Sequence, residues 1–226
     1  DSVVQANTDA GMSIVTYTGT GGNITVGHGL GVAPSAIIIK SRSNASPWVV
    51  WTAGMAGTTS VMELNTTAAE QTVSNYWYNG FSSTTFGLGT GTYSHNTNNY
   101  TYVAYCFAEK QGYSKFGSYV GNGVANGTFV YTGFKPAFIM VKTTAVTDEW
   151  NVYDTKRSGF NPNNDAIYAS VNYAEDAGST YAFMDIVSNG FKLRRATHSP
   201  NKASKYIYMA FAENPFVAGG VPTTAR

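Results

Sequence analysis

The sequence predicts an all-β protein made of two tandem β-sandwich units of jelly-roll or lectin-like type. First, one nine-residue pattern occurs twice, as YVAYCFAEK (102–110) and YIYMAFAEN (206–214). Second, apolar and aromatic runs of strand length alternate with clusters of Gly, Asn and Pro, a pattern typical of strands joined by turns. Third, no stretch of 12 residues shows a convincing helical stripe.

The repeat extends upstream of this pattern in register. GVAPSAIIIK (31–40) aligns with GFKPAFIMVK (133–142), which places Pro34 and Pro136 at a spacing of 102 positions. The same spacing relates further pairs: Tyr17 and Tyr119, Gly19 and Gly121, Trp48 and Trp150. The spacing drifts to 110 at the two NGF motifs and returns to 104 at the nine-residue pattern, which indicates loop insertions and deletions. Because the core positions stay aligned, we interpret the chain as two copies of one folding unit.

The repeat also sets the predicted domain boundaries. They are a lead-in at 1–10, a first sandwich at 11–112, a second at 113–216 and a tail at 217–226. A unit of about 100 residues with six or seven strands matches a β-sandwich. The sequence leaves open two separate sandwiches or one larger sandwich with pseudo-twofold symmetry.

Each copy contains six or seven predicted strands. Those of the first copy are 13–18, 36–40, 48–51, 61–64, 84–87 and 102–108. Those of the second are 115–120, 128–131, 137–142, 150–154, 166–170, 183–186 and 206–212. One helical turn is also expected at 66–71.

The repeated strand is apolar on both faces, so it is predicted to be central and covered on both sides. Phe107 and Phe211 are expected in the core. The single cysteine, Cys106, excludes an internal disulfide, and its repeat counterpart is Ala210. We therefore interpret Cys106 as a small buried side chain and not as a nucleophile.

Composition excludes several classes of function. Charged residues make up 12% of the chain, about half of the ~25% usual in soluble domains, and the net charge is +1. The only basic cluster, at 192–195, is interpreted as a solvated strand edge, so no nucleic-acid partner is expected. No run of 18 apolar residues is present, and no membrane insertion is predicted.

No motif for catalysis or for a cofactor is apparent. The three histidines lack metal-binding spacing, and the Gly-rich stretches are typical of hairpin turns. Glu109 and Glu213 occupy equivalent positions in the two copies, which favours a structural role over a catalytic pair. NPNND (161–165) is interpreted as an Asn-rich turn in preference to a calcium site. We predict a non-enzymatic protein without catalytic residues, metal or cofactor.

A ligand site is expected where the copies differ, because shared positions are committed to the fold. Loops 75–81, 92–102 and 172–183 are rich in Tyr, Trp, Asn, Ser and Thr, which suit glycan or protein contacts. The candidate contact residues are Trp77, Tyr78, Tyr93, His95 and Tyr181. Trp77 would stack on a sugar ring, and Tyr78 and His95 would donate to hydroxyls. The competing hypothesis is that Trp77 packs at the sandwich edge.

Several strings resemble a known family: GMSIVTYTGTGGNITVGHGLGVAPSAIIIKSRS, YVAYCFAEKQGYSKFGSYVGNG, FVYTGFKPAFIMVK, SNGFKL and YIYMAFAENPF. They are similar to a domain common at the C-terminal side of large tail-fibre or virion-associated proteins of marine and other bacteriophages. This resemblance implies a lectin-like sandwich on the virion surface, on a tail fibre or the capsid exterior, with an adhesin-like role. It brings no catalytic motif.

Two further expectations concern partners. A surface with few charges favours association, so a homo-oligomer or attachment to other virion proteins is expected. The leading hypothesis is host attachment through a surface glycan or polysaccharide. The alternatives are a capsid-decorating or fibre-assembly protein without a ligand, and a polysaccharide depolymerase.

Overall fold

The computed structural model describes residues 2–90, 95–157, 159–163, 165–176, 184–196, 199–214, 217–218 and 221–222. The described residues form strands and connecting segments without any helix, which confirms the all-β class. It follows that no helix in this part of the chain is long and apolar enough to cross a membrane. The predicted helical turn at 66–71 is wrong, because the Thr67 carbonyl accepts hydrogen bonds from the distant Lys142 ammonium and Asp148 amide.

The chain divides into two compact units. Unit 1 comprises residues 1–66 and 70–109, and unit 2 comprises residues 67–69 and 110–226. The strands of unit 1 are β1 (Ser2–Asn7), β2 (Met12–Thr18), β3 (Ile24–Gly27), β4 (Ala36–Ser41), β5 (Val49–Thr52), β6 (Ser60–Glu63), β7 (Gln71–Thr72), β8 (Thr85–Leu88) and β9 (Thr101–Phe107).

Unit 1 contains a large sheet and a small one. The large sheet has the strand order β1-β2-β9-β4-β5-β6-β7, and β3 pairs with β8 in a separate two-stranded sheet. The expected lead-in at 1–10 needs correction, because β1 pairs with β2 over six residue pairs from Ser2 to Asn7. The first unit therefore begins earlier than the repeat alone indicates.

Unit 2 contains β10 (Ser114–Val120), β11 (Phe129–Tyr131), β12 (Pro136–Thr143), β13 (Asn151–Asp154), β14 (Ile167–Tyr168), β15 (Met184–Val187), β16 (Gly190–Leu193), β17 (Lys205–Ala212), β18 (Val217–Ala218) and β19 (Val221–Pro222). A five-stranded sheet, β10-β17-β12-β13-β14, shares one core with a three-stranded sheet, β11-β16-β15. Tyr153 and Tyr208 of the first sheet and Phe191 of the second belong to that core, which makes unit 2 a sandwich. β18 and β19 pair within the predicted tail.

The two units share strand order and local contacts. The order β2-β9-β4-β5-β6 of unit 1 matches β10-β17-β12-β13-β14 of unit 2, and the β3–β8 pair matches β11–β16. Tyr17 stacks on Tyr102 at a ring-centroid distance of 5.1 Å, and Tyr119 stacks on Tyr206 at 5.2 Å. Most of these equivalences follow the spacing seen in the sequence. The alignment of the two NGF motifs is wrong, because Phe86 faces Val26 as Phe191 faces Val130, so Phe86 and not Phe81 is the counterpart of Phe191. Duplication of one folding unit remains a prediction that the structural equivalences support.

The repeated strand is central in both units, as predicted. β9 lies between β2 and β4, and β17 lies between β10 and β12. The expectation for Phe107 and Phe211 is wrong, because both are only half-buried. Side chains alternate along a strand, and the core face of β17 is taken by Tyr206, Tyr208 and Ala210. Cys106 is fully buried in β9, and burial raises the pKa of its thiol to about 12.

Candidate functional site

The aromatic loop of unit 1 is largely part of the core. Trp77 is 2% exposed, its indole N–H donates to the Ser60 carbonyl at 2.9 Å, and its ring packs on Phe81. His95 is fully buried and stacks on Tyr76 at 4.1 Å between ring centroids. The expected role of Trp77 and His95 as exposed glycan contacts is therefore corrected, since neither ring has a free face for a ligand.

The remaining predicted contacts do not restore that site. Tyr78 is half-buried, and Tyr93 and Tyr181 lie outside the described residues. The loop at 75–80 is held tightly against β8, because a Cβ atom on Gly87 would stand 1.3 Å from the Tyr78 carbonyl oxygen. In unit 1 the aromatic loop thus covers a strand and is not displayed for binding.

A groove in unit 2 has the exposure that this loop lacks. It lies where β12 begins and where β13 and β17 end. Two adjoining cavities of about 230 and 190 Å³ share Lys135, Thr155 and Glu213. The larger cavity is also lined by Lys156, Gly159, Phe160, Asn161, Asn163 and Ile186. We call this feature the 155–163 groove. Each part is smaller than the ~300–1,000 Å³ typical of small-ligand sites, and the two parts together lie within that range.

The turn after β13 fixes one wall of the groove. Asp154 Oδ1 accepts from the backbone amides of Lys156 and Arg157 at 2.8 and 2.9 Å, and Asp154 Oδ2 accepts from Arg157 Nε at 2.6 Å. Partial burial would raise the pKa of Asp154, but the hydrogen bonds from Arg157 and from these amides hold it below its ordinary value. Arg157 also pairs with Glu175 at 2.8 Å. The turn is consequently held by charged groups on both sides.

The other end of the loop is fixed to β15. The Asn161 side chain donates to the Ile186 carbonyl and accepts from the Ile186 amide, both at 2.9 Å. The Asn163 backbone exchanges two hydrogen bonds with Met184, at 2.7 and 3.0 Å. With both ends anchored, the groove is preorganised, which lowers the entropic cost of binding.

Three side chains of the groove have properties of a ligand contact. Phe160 is 79% exposed. Asn163 is 1% exposed, and its Oδ1 has no hydrogen-bond partner among the described residues, although its Nδ2 donates to the Asp154 carbonyl at 2.7 Å. Buried acceptors are seldom left unsatisfied, so this oxygen suits a hydroxyl donor. The third side chain is Lys135, which takes part in no ion pair in the described part of the chain, whereas Lys156 pairs with Glu213.

The lysines of the groove are specific to unit 2. At the spacing of 102 positions, Lys135 corresponds to Ala33 and Lys156 to Gly54. The backbone confirms this equivalence, because the amide of Ala53 donates to Ser35 at 2.8 Å, as the amide of the corresponding Thr155 donates to Ala137 at 3.1 Å. A comparison of the two copies by charge would have found this groove from sequence. The comparison by aromatic loops pointed to unit 1 instead.

The described residues form no metal-binding site. Among the described residues, no group of three or more His, Cys, Asp or Glu side chains is placed to hold a metal ion. Asn161 and Asn163, from the predicted Asn-rich turn, instead form hydrogen bonds with β15 and line the groove. The groove offers an aromatic ring, amides and ammonium groups, a set that binds polar organic ligands.

One family model matches residues 1–215 of the chain, and its description is "Domain of unknown function (DUF7483)". The chain belongs to this family. The DUF7483 match includes both units from β1 to Glu213, so the groove lies wholly within the family's domain. No curated protein and no solved structure matches the chain.

Proposed function

We propose that this DUF7483 chain is a non-enzymatic binding module that recognises carbohydrate through the 155–163 groove. The observation that carries the proposal is the exposed Phe160 ring in a cavity also lined by Asn163, whose buried Oδ1 has no hydrogen-bond partner among the described residues. An aromatic face stacks on the apolar face of a sugar, and an amide oxygen accepts from a hydroxyl. Lys135, Thr155 and Asn161 add further polar groups along the groove.

The biological setting of the proposal rests on the sequence. The resemblance to tail-fibre and virion-associated domains supports a place on the virion surface, where the module would bind a host-surface glycan or polysaccharide. Few charges and abundant Tyr support adhesion through rings and neutral hydrogen bonds. Other virion proteins and further copies of the chain are the partners that this setting implies.

The test is a glycan array probed with wild-type protein and two single variants. Phe160→Ala should reduce binding by about tenfold, because loss of one stacked ring costs on the order of 1.4 kcal/mol. Tyr173→Ala is the matched control, since Tyr173 is also exposed, at 63%, and lies in unit 2 outside the groove. No binding by folded wild-type protein, or equal losses in both variants, would reject the proposal. Release of reducing sugar would instead favour a depolymerase.

A second candidate, structural assembly on a virion, is favoured by strand β1. This edge strand is exposed along most of its length, Val3 is 75% exposed, and SVVQAN contains neither Pro nor a charged residue that would discourage pairing. Two copies of the chain would pair antiparallel through their β1 edges, as the symmetry of a homodimer allows. Val3→Lys should then convert a dimer to a monomer in light scattering. A monomeric wild-type protein would reject this second candidate.

A further inference from the structure

The outer face of the three-stranded sheet displays aromatic and charged side chains in a row. The strand register places Phe129, Lys192 and Asp185 side by side across β11, β16 and β15. Their neighbours Val130 and Phe191 point into the core, so this row faces away from it. Phe129 is 44% exposed.

A second aromatic ring lies on the same strand edge. Tyr131 follows Phe129 on the outer face of β11 and is 62% exposed. A Cβ atom on Gly190 would stand 3.2 Å from the Phe129 ring and 2.0 Å from the Val130 carbonyl oxygen. The Phe129 ring and the Val130 carbonyl thus fill the space over Gly190, which fixes the position of the Phe129 ring on the outer face.

This outer face is continuous with the 155–163 groove. A third cavity is lined by Asn161, Pro162, Asp185 and Arg194, and Asn161 also lines the groove. The contacts therefore lead from the groove, across Asn161 and Asp185, to Lys192 and Phe129. Neighbouring strands lie about 4.8 Å apart, so the part from Asp185 to Phe129 alone extends roughly 10 Å. A site of this length exceeds one sugar ring.

Some charged side chains along this path form ion pairs within the described part of the chain, and two lysines do not. Asp185 pairs with Arg194 and Glu213 pairs with Lys156, so these four charges compensate one another. Lys135 and Lys192 have no carboxylate partner among the described residues. Lys192 donates to the Gly127 carbonyl, which satisfies one of its protons but leaves its charge. One uncompensated cation thus lies at the groove and another on the sheet.

We infer that the ligand is an internal stretch of a linear acidic polysaccharide that occupies the groove and the outer face of the three-stranded sheet together. This inference rests on the proposed function. The Phe160 ring contacts the polymer at the groove, and Phe129 and Tyr131 contact it on the sheet. Lys135 and Lys192 face its carboxylate or sulfate groups.

The experiment measures how affinity depends on ligand length and charge. The probes are linear galacturonate oligomers of two, four and eight residues, their parent polymer, and neutral malto-oligosaccharides of the same lengths, within a wider array of acidic and neutral polysaccharides. Isothermal titration calorimetry on the full chain measures the affinity for each oligomer. For an acidic polysaccharide that binds, the affinity should rise at least tenfold from the dimer to the octamer. The same affinity should fall as salt is raised, because charge contacts are screened.

Variants separate the two parts of the site. The double variant Phe129→Ala with Tyr131→Ala should lose about tenfold for the octamer and leave the dimer unchanged, whereas Phe160→Ala should weaken both. Tyr173→Ala should change neither, and circular dichroism shows whether each variant is folded. A double variant that is unfolded is replaced by Lys192→Ala, which should weaken the octamer alone.

Three results would overturn the inference. Dimer and octamer of equal affinity would restrict the ligand to the groove. Neutral oligomers bound as tightly as acidic ones would remove the role of the two lysines. Binding unaffected by changes at 129, 131 and 192 would exclude the sheet. Each of these leaves the proposed function intact, whereas absence of binding to every carbohydrate of the array would overturn both.

Discussion

The small sheets of the two units have the same frame but carry different side chains on their outer faces. In each, a buried valine faces a buried phenylalanine across the strand pair: Val26 with Phe86 in unit 1, and Val130 with Phe191 in unit 2. The residues that flank these pairs differ. Those of β3 are Thr25 and Gly27, whereas those of β11 are Phe129 and Tyr131.

What covers each sheet explains the difference. In unit 1 the loop at 75–80 lies against Gly87, and its Trp77 is in the core. In unit 2 the position equivalent to Gly87 is Lys192, β15 pairs with β16, and the rings of β11 are exposed. Whether an aromatic side chain is buried or exposed therefore depends on the chain segment that packs over it, and the residue type alone does not predict its burial.

The largest expected effect tests whether Trp77 belongs to the core. Trp77→Ala should lower the free energy of unfolding by about 3–5 kcal/mol, because it leaves a cavity and removes a buried hydrogen bond. Denaturant unfolding measures this loss, and Tyr173→Ala should stay within about 0.5 kcal/mol of wild type. A loss below about 1 kcal/mol for Trp77→Ala would place the ring at the surface and restore the original glycan hypothesis.

The next effect compares equivalent strand positions. Gly87→Ala should cost about 1–3 kcal/mol, because its methyl group would overlap the Tyr78 carbonyl oxygen and displace the covering loop. Lys192→Ala should cost about 1 kcal/mol or less, since it removes one hydrogen bond to Gly127. Thermal unfolding of the two variants measures both. Equal costs would show that the covering loop yields without strain.

A smaller expected effect is a pH dependence of stability that comes from His28. Thr132 occupies the equivalent position in unit 2. His28 Nδ1 accepts from the Leu30 amide at 3.2 Å, and Thr132 Oγ1 accepts from the Phe134 amide at 3.4 Å, so both cap the same turn. Burial lowers the pKa of His28 below 6.5, and the hydrogen bond to the Ser82 carbonyl only partly opposes this. The neutral ring is thus favoured in the folded state.

The sign of the pH effect follows from that direction. The contribution of His28 to stability is present above pH 6.5 and is lost as the pH falls towards its lower, folded-state pKa. Unfolding followed at pH 7 and pH 5 should show this loss, and His28→Thr, which copies unit 2, should reduce it. A variant that loses as much stability at pH 5 as wild type would assign the effect to other groups.

The smallest effect on folding comes from Lys135. Lys135→Ala copies Ala33 of unit 1 at an exposed position, so stability should change by less than about 0.5 kcal/mol. Binding of an acidic polysaccharide should nevertheless weaken, and its salt dependence should flatten, because one counter-charge is removed. Titration at two salt concentrations measures both. Unchanged affinity would exclude Lys135 from the site.

The sequence predicted the long central strands better than the short strands and the exposed edge strand β1. The Pro34–Pro136 register and the apolar central strands identified β4, β12, β9 and β17, because burial constrains each of these positions. The strands missed are β1, β3, β7, β16, β18 and β19. SVVQAN of β1 is exposed and lacks a core pattern, and β16 begins in a segment that resembles a turn. Short strands with one polar face give a weak periodic signal.

The candidate site was harder to predict for a physical reason. Trp77 and Phe160 lie in similar polar loops, and sequence does not show that Trp77 folds inward to donate to Ser60. The position of the Asn163 side chain, whose Oδ1 has no partner among the described residues, is set by hydrogen bonds to Asp154 and Met184, which are distant in the chain. The charge difference between the copies, at Lys135 and Lys156, was the accessible signal, because it needs only the alignment.

The single thiol of the chain provides a kinetic reporter for one unit. Cys106 is fully buried in β9, a central strand of the large sheet of unit 1, and unit 2 contains no cysteine. A disulfide reagent in solution therefore reacts only when unit 1 opens around this strand. When opening and reclosing are fast relative to the reaction, the labelling rate is proportional to the population of the open form. The intact chain thus allows the opening free energy of unit 1 to be followed separately, while both units remain joined.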